Sequence, residues 1–117
     1  MSSPSKVKGN RFERECVERA QYKFIEAQRF WGSDGRSAGY HKDADIKVDD
    51  WLFQCKIRKQ LPKWLQIDWN EVDGFLIRQD RGKPLVLIDY DDFLDLLKER
   101  GDWKKWTSRH ATTSQEK

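Results

Sequence analysis

An acid, an amide and an ammonium fall close together in residues 43–57, at Asp45, Gln54 and Lys56. The stretch reads as two strands around a tight turn at Asp49-Asp50. With that turn, Val48 pairs with Trp51, Lys47 with Leu52, Ile46 with Phe53 and Asp45 with Gln54. Strand side chains alternate faces, and directly opposed residues share one. Asp45, Gln54 and Lys56 are therefore expected on one face. Ile46, Val48, Trp51, Phe53, Cys55 and Ile57 form the opposite, core face. Oxygen donors beside an ammonium suit metal-assisted hydrolysis: a hard cation takes oxygen ligands, and the ammonium offsets developing negative charge. A polar face of this kind also occurs on any half-exposed sheet, so a second carboxylate matters. Glu13 supplies one, at the edge of an apolar stripe formed by Phe12, Cys16, Val17, Ala20 and Phe24 at helical spacing.

The elements that must hold these groups can be read in outline. Residues 1–7 read as a loose leader. A helix follows from Asn10 as N-cap, with Glu13 completing a capping box. Residues 27–31 predict a strand, and residues 32–39, with three glycines and two serines, a flexible loop that carries Ser33. After the hairpin, residues 59–65 predict a connector with a short helix, Pro62 in its first turn. Residues 74–78 and 84–89 predict two strands. The second is nearly all apolar and is expected to be central and buried on both faces. A last helix starts at Tyr90, with Phe93, Leu94, Leu96 and Leu97 as its stripe and Gly101 as its C-cap. The order is αβββαββα. It predicts an α/β protein with a mixed sheet of about five strands flanked by helices, a single domain over 8–102 and a polar, basic tail over 103–117.

The chain of 117 residues fits one compact domain with a core of moderate size. Its net charge of +3 is unevenly spread. Residues 1–66 carry 14 Lys/Arg against 9 Asp/Glu, whereas 67–102 carry 5 against 10. The basic half contains the candidate site, which suits a polyanionic substrate. Lys8, Arg14, Arg29, Arg36, Lys42, Lys47, Arg58 and Lys59 are candidate phosphate contacts. His41 is a candidate for proton transfer, and Asp43 lies opposite Lys56 in the expected register. Cys16 and Cys55 sit in apolar patterns and are expected as reduced core residues. No run approaches the length of a membrane span, and the N-terminus lacks an apolar signal region. The expectation is a cytoplasmic, DNA-associated protein with no small-molecule cofactor and no membrane partner.

Lys8-Gly9-Asn10-Arg11-Phe12-Glu13-Arg14 resembles the K-G-x-x-x-E-R opening of the archaeal-type Holliday junction resolvases. Arg29 and Gly32-Ser33 resemble that family's arginine strand and Gly-Ser flap. Ala44-Asp45 with Gln54-Cys55-Lys56 resembles the P-D…(D/E)-x-K core of the restriction-endonuclease-like superfamily. The chain is also similar to short stand-alone resolvase-like proteins of bacteriophages, which would act in the host cytoplasm. The likeness covers roughly residues 8–60. It implies a restriction-endonuclease-like core, Mg²⁺ or Mn²⁺ held by Asp45, Glu13 and the Gln54 carbonyl oxygen, and Lys56 orienting the attacking water. Ser33 would touch the scissile phosphate. The activity implied is paired phosphodiester cleavage of four-way or other branched DNA by a homodimer, leaving 5′-phosphates. Ala44 replaces the proline of the pattern, and Gln54 replaces its acid, removing one negative charge from the metal shell. Two alternatives stand beside it: a nuclease directed at flaps, nicks or duplex, and a non-catalytic junction-binding protein.

Overall fold

The computed structural model describes residues 3–109, with the backbone alone described at Ser33 and over 102–109. The described residues are mixed α/β, with two α-helices and two small antiparallel sheets of three and two strands. It divides between Arg58 and Lys59 into two compact units.

In the first unit, helix α1 (Pro4–Tyr22) packs on strands β1 (Ala27–Arg29) and β2 (Ile46–Val48), and β3 (Trp51–Phe53) completes the sheet in the order β1-β2-β3. The helix starts six residues before the expected Asn10 cap, inside the stretch read as a leader. Ser3 is the true N-cap: its hydroxyl accepts the Lys6 amide at 3.2 Å, and Pro4 fits the first turn, where no amide donor is needed. Glu13, Cys16, Val17 and Ala20 are buried, at the three- and four-residue steps of one face. Phe24 is not part of that stripe. The helix ends at Tyr22, and Phe24 takes a left-handed φ of 61°. That turn carries Phe24 to the surface and drops Ile25 into the core.

The hairpin has the expected register, with Ile46↔Phe53, Lys47↔Leu52 and Val48↔Trp51, and a two-residue turn whose Asp49 has a φ of 53°. The strands flank β2 on both sides, so Ile46 and Val48 are almost fully buried. Burying each is worth roughly 1.5–3 kcal/mol. Trp51, expected in the core, is 45% exposed and instead lies flat against Phe53, ring centroids 6.3 Å apart.

The glycine-rich loop is built of two 3-10 turns, Trp31–Ser33 and Gly35–Ala38. Asp34 caps the second through the Arg36 amide at 2.9 Å. Gly35 is buried beneath residues 40–44. A Cβ there would stand 2.5 Å from the His41 carbonyl oxygen and 2.9 Å from the Ala44 Cβ. Gly35→Ala is therefore expected to destabilise the protein by about 1–3 kcal/mol, read as a lower midpoint in urea unfolding. An unchanged midpoint would show that the loop can move off the sheet at no cost.

The second unit differs from expectation in its connector, its strand pairing and its last helix. The connector carries only a 3-10 turn, Lys63–Leu65, after Pro62. Strands β4 (Gly74–Ile77) and β5 (Leu85–Ile88) pair only with each other, so the five strands form two sheets. β5 is accordingly not buried on both faces: Leu85 and Val86 are 56% and 65% exposed. Helix α2 (Tyr90–Arg109) is capped by Asp89, whose carboxylate accepts the Asp91 and Asp92 amides. It runs through Gly101 into the stretch expected as a tail, because a mid-helix glycine costs only about 1 kcal/mol and does not terminate a helix. Leu94 and Leu97 are buried, whereas Leu96 is exposed. Residues 110–117, including His110, lie outside the described residues. No helix among the described residues is long and apolar enough to cross a membrane.

Candidate active site

Asp45 is positioned by its own backbone before its side chain does anything. Its amide donates to the Phe53 carbonyl at 2.9 Å, and its carbonyl accepts the Phe30 amide at 3.0 Å. Ile46 is also the ladder partner of Phe53, so two residues of one strand face one of the other, the arrangement of a β-bulge. The expected Asp45–Gln54 ladder pair is therefore not formed. The Asp45 carboxylate instead reaches one residue further and accepts the Cys55 amide through Oδ2 at 2.7 Å. A buried acid has thus replaced a backbone carbonyl as the partner of that amide.

Beyond the last ladder pair, burial still alternates along Phe53-Gln54-Cys55-Lys56-Ile57. Gln54 and Lys56 are exposed on one side and the other three are half-buried, which keeps the strand period. Glu13 comes from α1 and is buried, not at the rim of the helix stripe. Arg29, on β1, donates from Nε to Glu13 Oε1 at 2.8 Å. The helix face and the strand thereby bring a second carboxylate toward the first.

The electrostatics tie these groups together. Burial pushes the Asp45 carboxyl above the ordinary carboxylate range, and the Cys55 amide pulls it back. The Glu13 charge raises it further, Lys56 lowers it, and Asp43 raises it. Two carboxylates that repel in a poorly solvated place, with an ammonium beside them, are a donor set that a hard divalent cation would relieve. Asp45 and Glu13 with the Gln54 amide oxygen fit such an ion by chemistry. Among the described residues no group of three or more His, Cys, Asp or Glu side chains converges as a metal site.

Glu13→Gln tests this coupling directly. The half-buried Arg29 would lose its charged partner, and stability is expected to fall by about 1.5–3 kcal/mol. The Asp45 carboxyl would titrate at lower pH, because one source of repulsion is gone. Carboxyl-carbon NMR shifts across a pH series read the second effect. An unmoved Asp45 titration would show that the two carboxylates do not interact.

Of the expected phosphate contacts, three are engaged with other side chains. Arg29 binds Glu13, and Arg36 makes a bidentate pair with Asp34, Nη2 to Oδ2 at 2.6 Å. Lys47 donates to the Tyr40 hydroxyl at 3.2 Å and lies 5.4 Å from its ring centroid. Lys8, Arg14, Lys42 and Lys59 are exposed and make no ion pair among the described residues, and Arg58 donates to the Ile57 carbonyl. The Ser33 side chain lies outside the described residues. His41 accepts the Asp43 amide through Nδ1 at 3.1 Å, with the Asp43 carboxylate 3.6 Å away. Both are exposed and turned toward each other, so His41 serves the loop rather than the acid pair.

Three features are not legible in the motif. The Ala44 amide donates to the His41 carbonyl at 3.1 Å, a bond the proline of the pattern could not make. Gly35 seats the loop against Ala44. Cys16 lies one turn after Glu13 on α1, and the amide of Cys55 holds the Asp45 carboxylate. In the second unit, a pocket lined by Asp73, Asp92, Asp95 and Glu99 with Ile88 and Leu96 has the wrong charge for a polyanion. Comparison of the chain with protein-family models, curated proteins and solved structures gave no match.

Proposed function

We propose that this protein is a metal-dependent, structure-selective DNA endonuclease, a Holliday junction resolvase with a restriction-endonuclease-like core. The observation that carries the reading is the burial of two carboxylates in the first unit, Glu13 on α1 and Asp45 at the head of the hairpin. The antiparallel hairpin that presents Asp45, backed by α1 carrying Glu13, supports it. Glu13, Asp45 and the Gln54 amide oxygen would hold Mg²⁺ or Mn²⁺, which supplies positive charge to the scissile phosphate and activates water. Lys56, exposed beside Asp45, would orient that water and offset charge on the phosphate. Exposed Lys8, Arg14, Lys42 and Lys59 would hold the DNA backbone. A homodimer would place two such sites for symmetric cuts.

Gln54 supports a second reading, a junction-binding protein without cleavage. It is exposed, neutral and not opposed to Asp45, so the metal shell lacks one charge. One panel separates the readings: labelled four-way junction, flap, nicked and linear DNA, each with Mg²⁺ or Mn²⁺, beside Mn²⁺ calorimetry. The resolvase reading expects symmetric paired cuts in the junction alone. Cuts confined to flaps or linear duplex would make it a different nuclease. Tight junction binding with no metal heat and no cleavage would establish the binder.

A further inference from the structure

Trp31 stands at the edge of the candidate site with its ring in solvent. The residue before it, Phe30, donates its amide to the Asp45 carbonyl at 3.0 Å, so Trp31 is one residue from a contact that fixes the acid. Phe30 is buried and packs on Tyr40, ring centroids 5.6 Å apart, whereas Trp31 is 85% exposed. The chain turns directly afterwards. The Asp34 amide donates to the Trp31 carbonyl at 3.3 Å, and Gly32 takes a left-handed φ of 65°. Gly35 then seats the loop against His41 and Ala44. The backbone that carries the indole is thus anchored on both sides.

A single exposed aromatic ring is ordinary on a protein surface, so the surroundings decide what this one fits. A protein partner would need contiguous apolar area. Gly32, Asp34, Arg36, Ser37 and Gly39 follow Trp31 in the loop and do not build it. The same segment instead carries exposed cations, Arg36, held in a bidentate pair by Asp34, and Lys42. A flat ring accompanied by cations suits a nucleobase and the phosphates that flank it. We propose that Trp31 stacks on an open base face at a DNA branch point and so selects branched DNA over duplex. This rests on the DNA reading proposed above. In a linear duplex both faces of every internal base are covered by its neighbours, and an indole can enter only by unstacking a step. At a branch the stack is already interrupted, and that cost is reduced.

The experiment measures binding of the full chain, without metal, to a fluorescein-labelled four-way junction and to linear duplex built from the same arms. Wild type, Trp31→Ala and Trp31→Phe are compared. Trp31→Ala is expected to weaken junction binding about 5- to 150-fold, the worth of one base–aromatic stack, and to leave duplex binding within about twofold. Trp31→Phe should restore most of the loss. Both variants should keep the wild-type urea midpoint, because the ring is exposed. With iodouracil at the branch, ultraviolet light should cross-link the peptide that carries Trp31 in the junction and not in the duplex. Unchanged junction binding in Trp31→Ala, or an equal loss for junction and duplex, would overturn the proposal, as would a cross-link confined to other peptides. A wild type that binds neither DNA would overturn the DNA reading itself, and Trp31 with it. Neither readout needs metal or cleavage, so the result for Trp31 does not depend on whether the site cuts.

Discussion

Asp45→Asn is expected to abolish the proposed metal-dependent cleavage, by about 10³-fold or more, while making the protein more stable at neutral pH. The first effect follows from the charge. Asparagine keeps the shape and can still accept the Cys55 amide, but it offers a hard cation no negative charge. Losing several kcal/mol of transition-state stabilisation costs three orders of magnitude or more in rate. The second effect follows from burial. The Asp45 carboxyl titrates above the ordinary carboxylate range, chiefly because it is poorly solvated and secondarily because Glu13 repels it. As pH rises from the ordinary value toward the raised folded one, the unfolded chain releases its proton first. The folded state then holds more protons, and stability falls with pH across that window. Below it the acid is protonated in both states and carries no such penalty. Asparagine does not titrate, so its advantage should open as pH rises through the window and stay constant above it. Urea unfolding across the acid-to-neutral range measures this. A variant less stable than wild type at every pH would show that the carboxylate–amide bond outweighs the cost of burying the charge. Saturating Mn²⁺ should stabilise wild type alone, by about 2.7 kcal/mol at a hundredfold excess over Kd.

Lys56→Ala should separate catalysis from binding. Lys56 is exposed and makes no ion pair among the described residues, so its removal should change stability by no more than about 0.5 kcal/mol. Cleavage of a four-way junction should fall by about 10²–10³-fold, the usual cost of removing one group that stabilises developing charge. Junction affinity should survive, since under the proposed function the remaining surface cations would still hold the DNA backbone. The variant also removes an ammonium that lowers the Asp45 carboxyl, so Asp45 should titrate at still higher pH. The acid limb of the pH–rate profile should shift upward with it. Full activity in Lys56→Ala would remove this residue from the mechanism.

What can be read from the sequence is what depends on local pattern. The hairpin register is set by strict alternation around a two-residue turn, and both are visible in the chain. The end of the register is not visible, because the bulge at Asp45 and Ile46 depends on which carbonyl an amide finds. The helix start is hidden because Ser3-Pro4 has the composition of a leader and the geometry of a cap. Glu13 reads as peripheral because a charged residue on an apolar stripe suggests an edge. The partner that permits its burial, Arg29, comes from a strand sixteen residues away. The apolar run of β5 suggests a doubly covered strand, yet hydropathy says nothing about how many neighbours a strand finds.

The position of Asp45 is fixed by main-chain bonds to Phe30 and Phe53 and held at its tip by the amide of Cys55. None of those three contacts uses a side chain of the neighbour. The acid is thus set by bonds that any amino acid but proline could supply at those positions. A change of side chain at Phe53 or Cys55 leaves those bonds available so long as the strands keep their register.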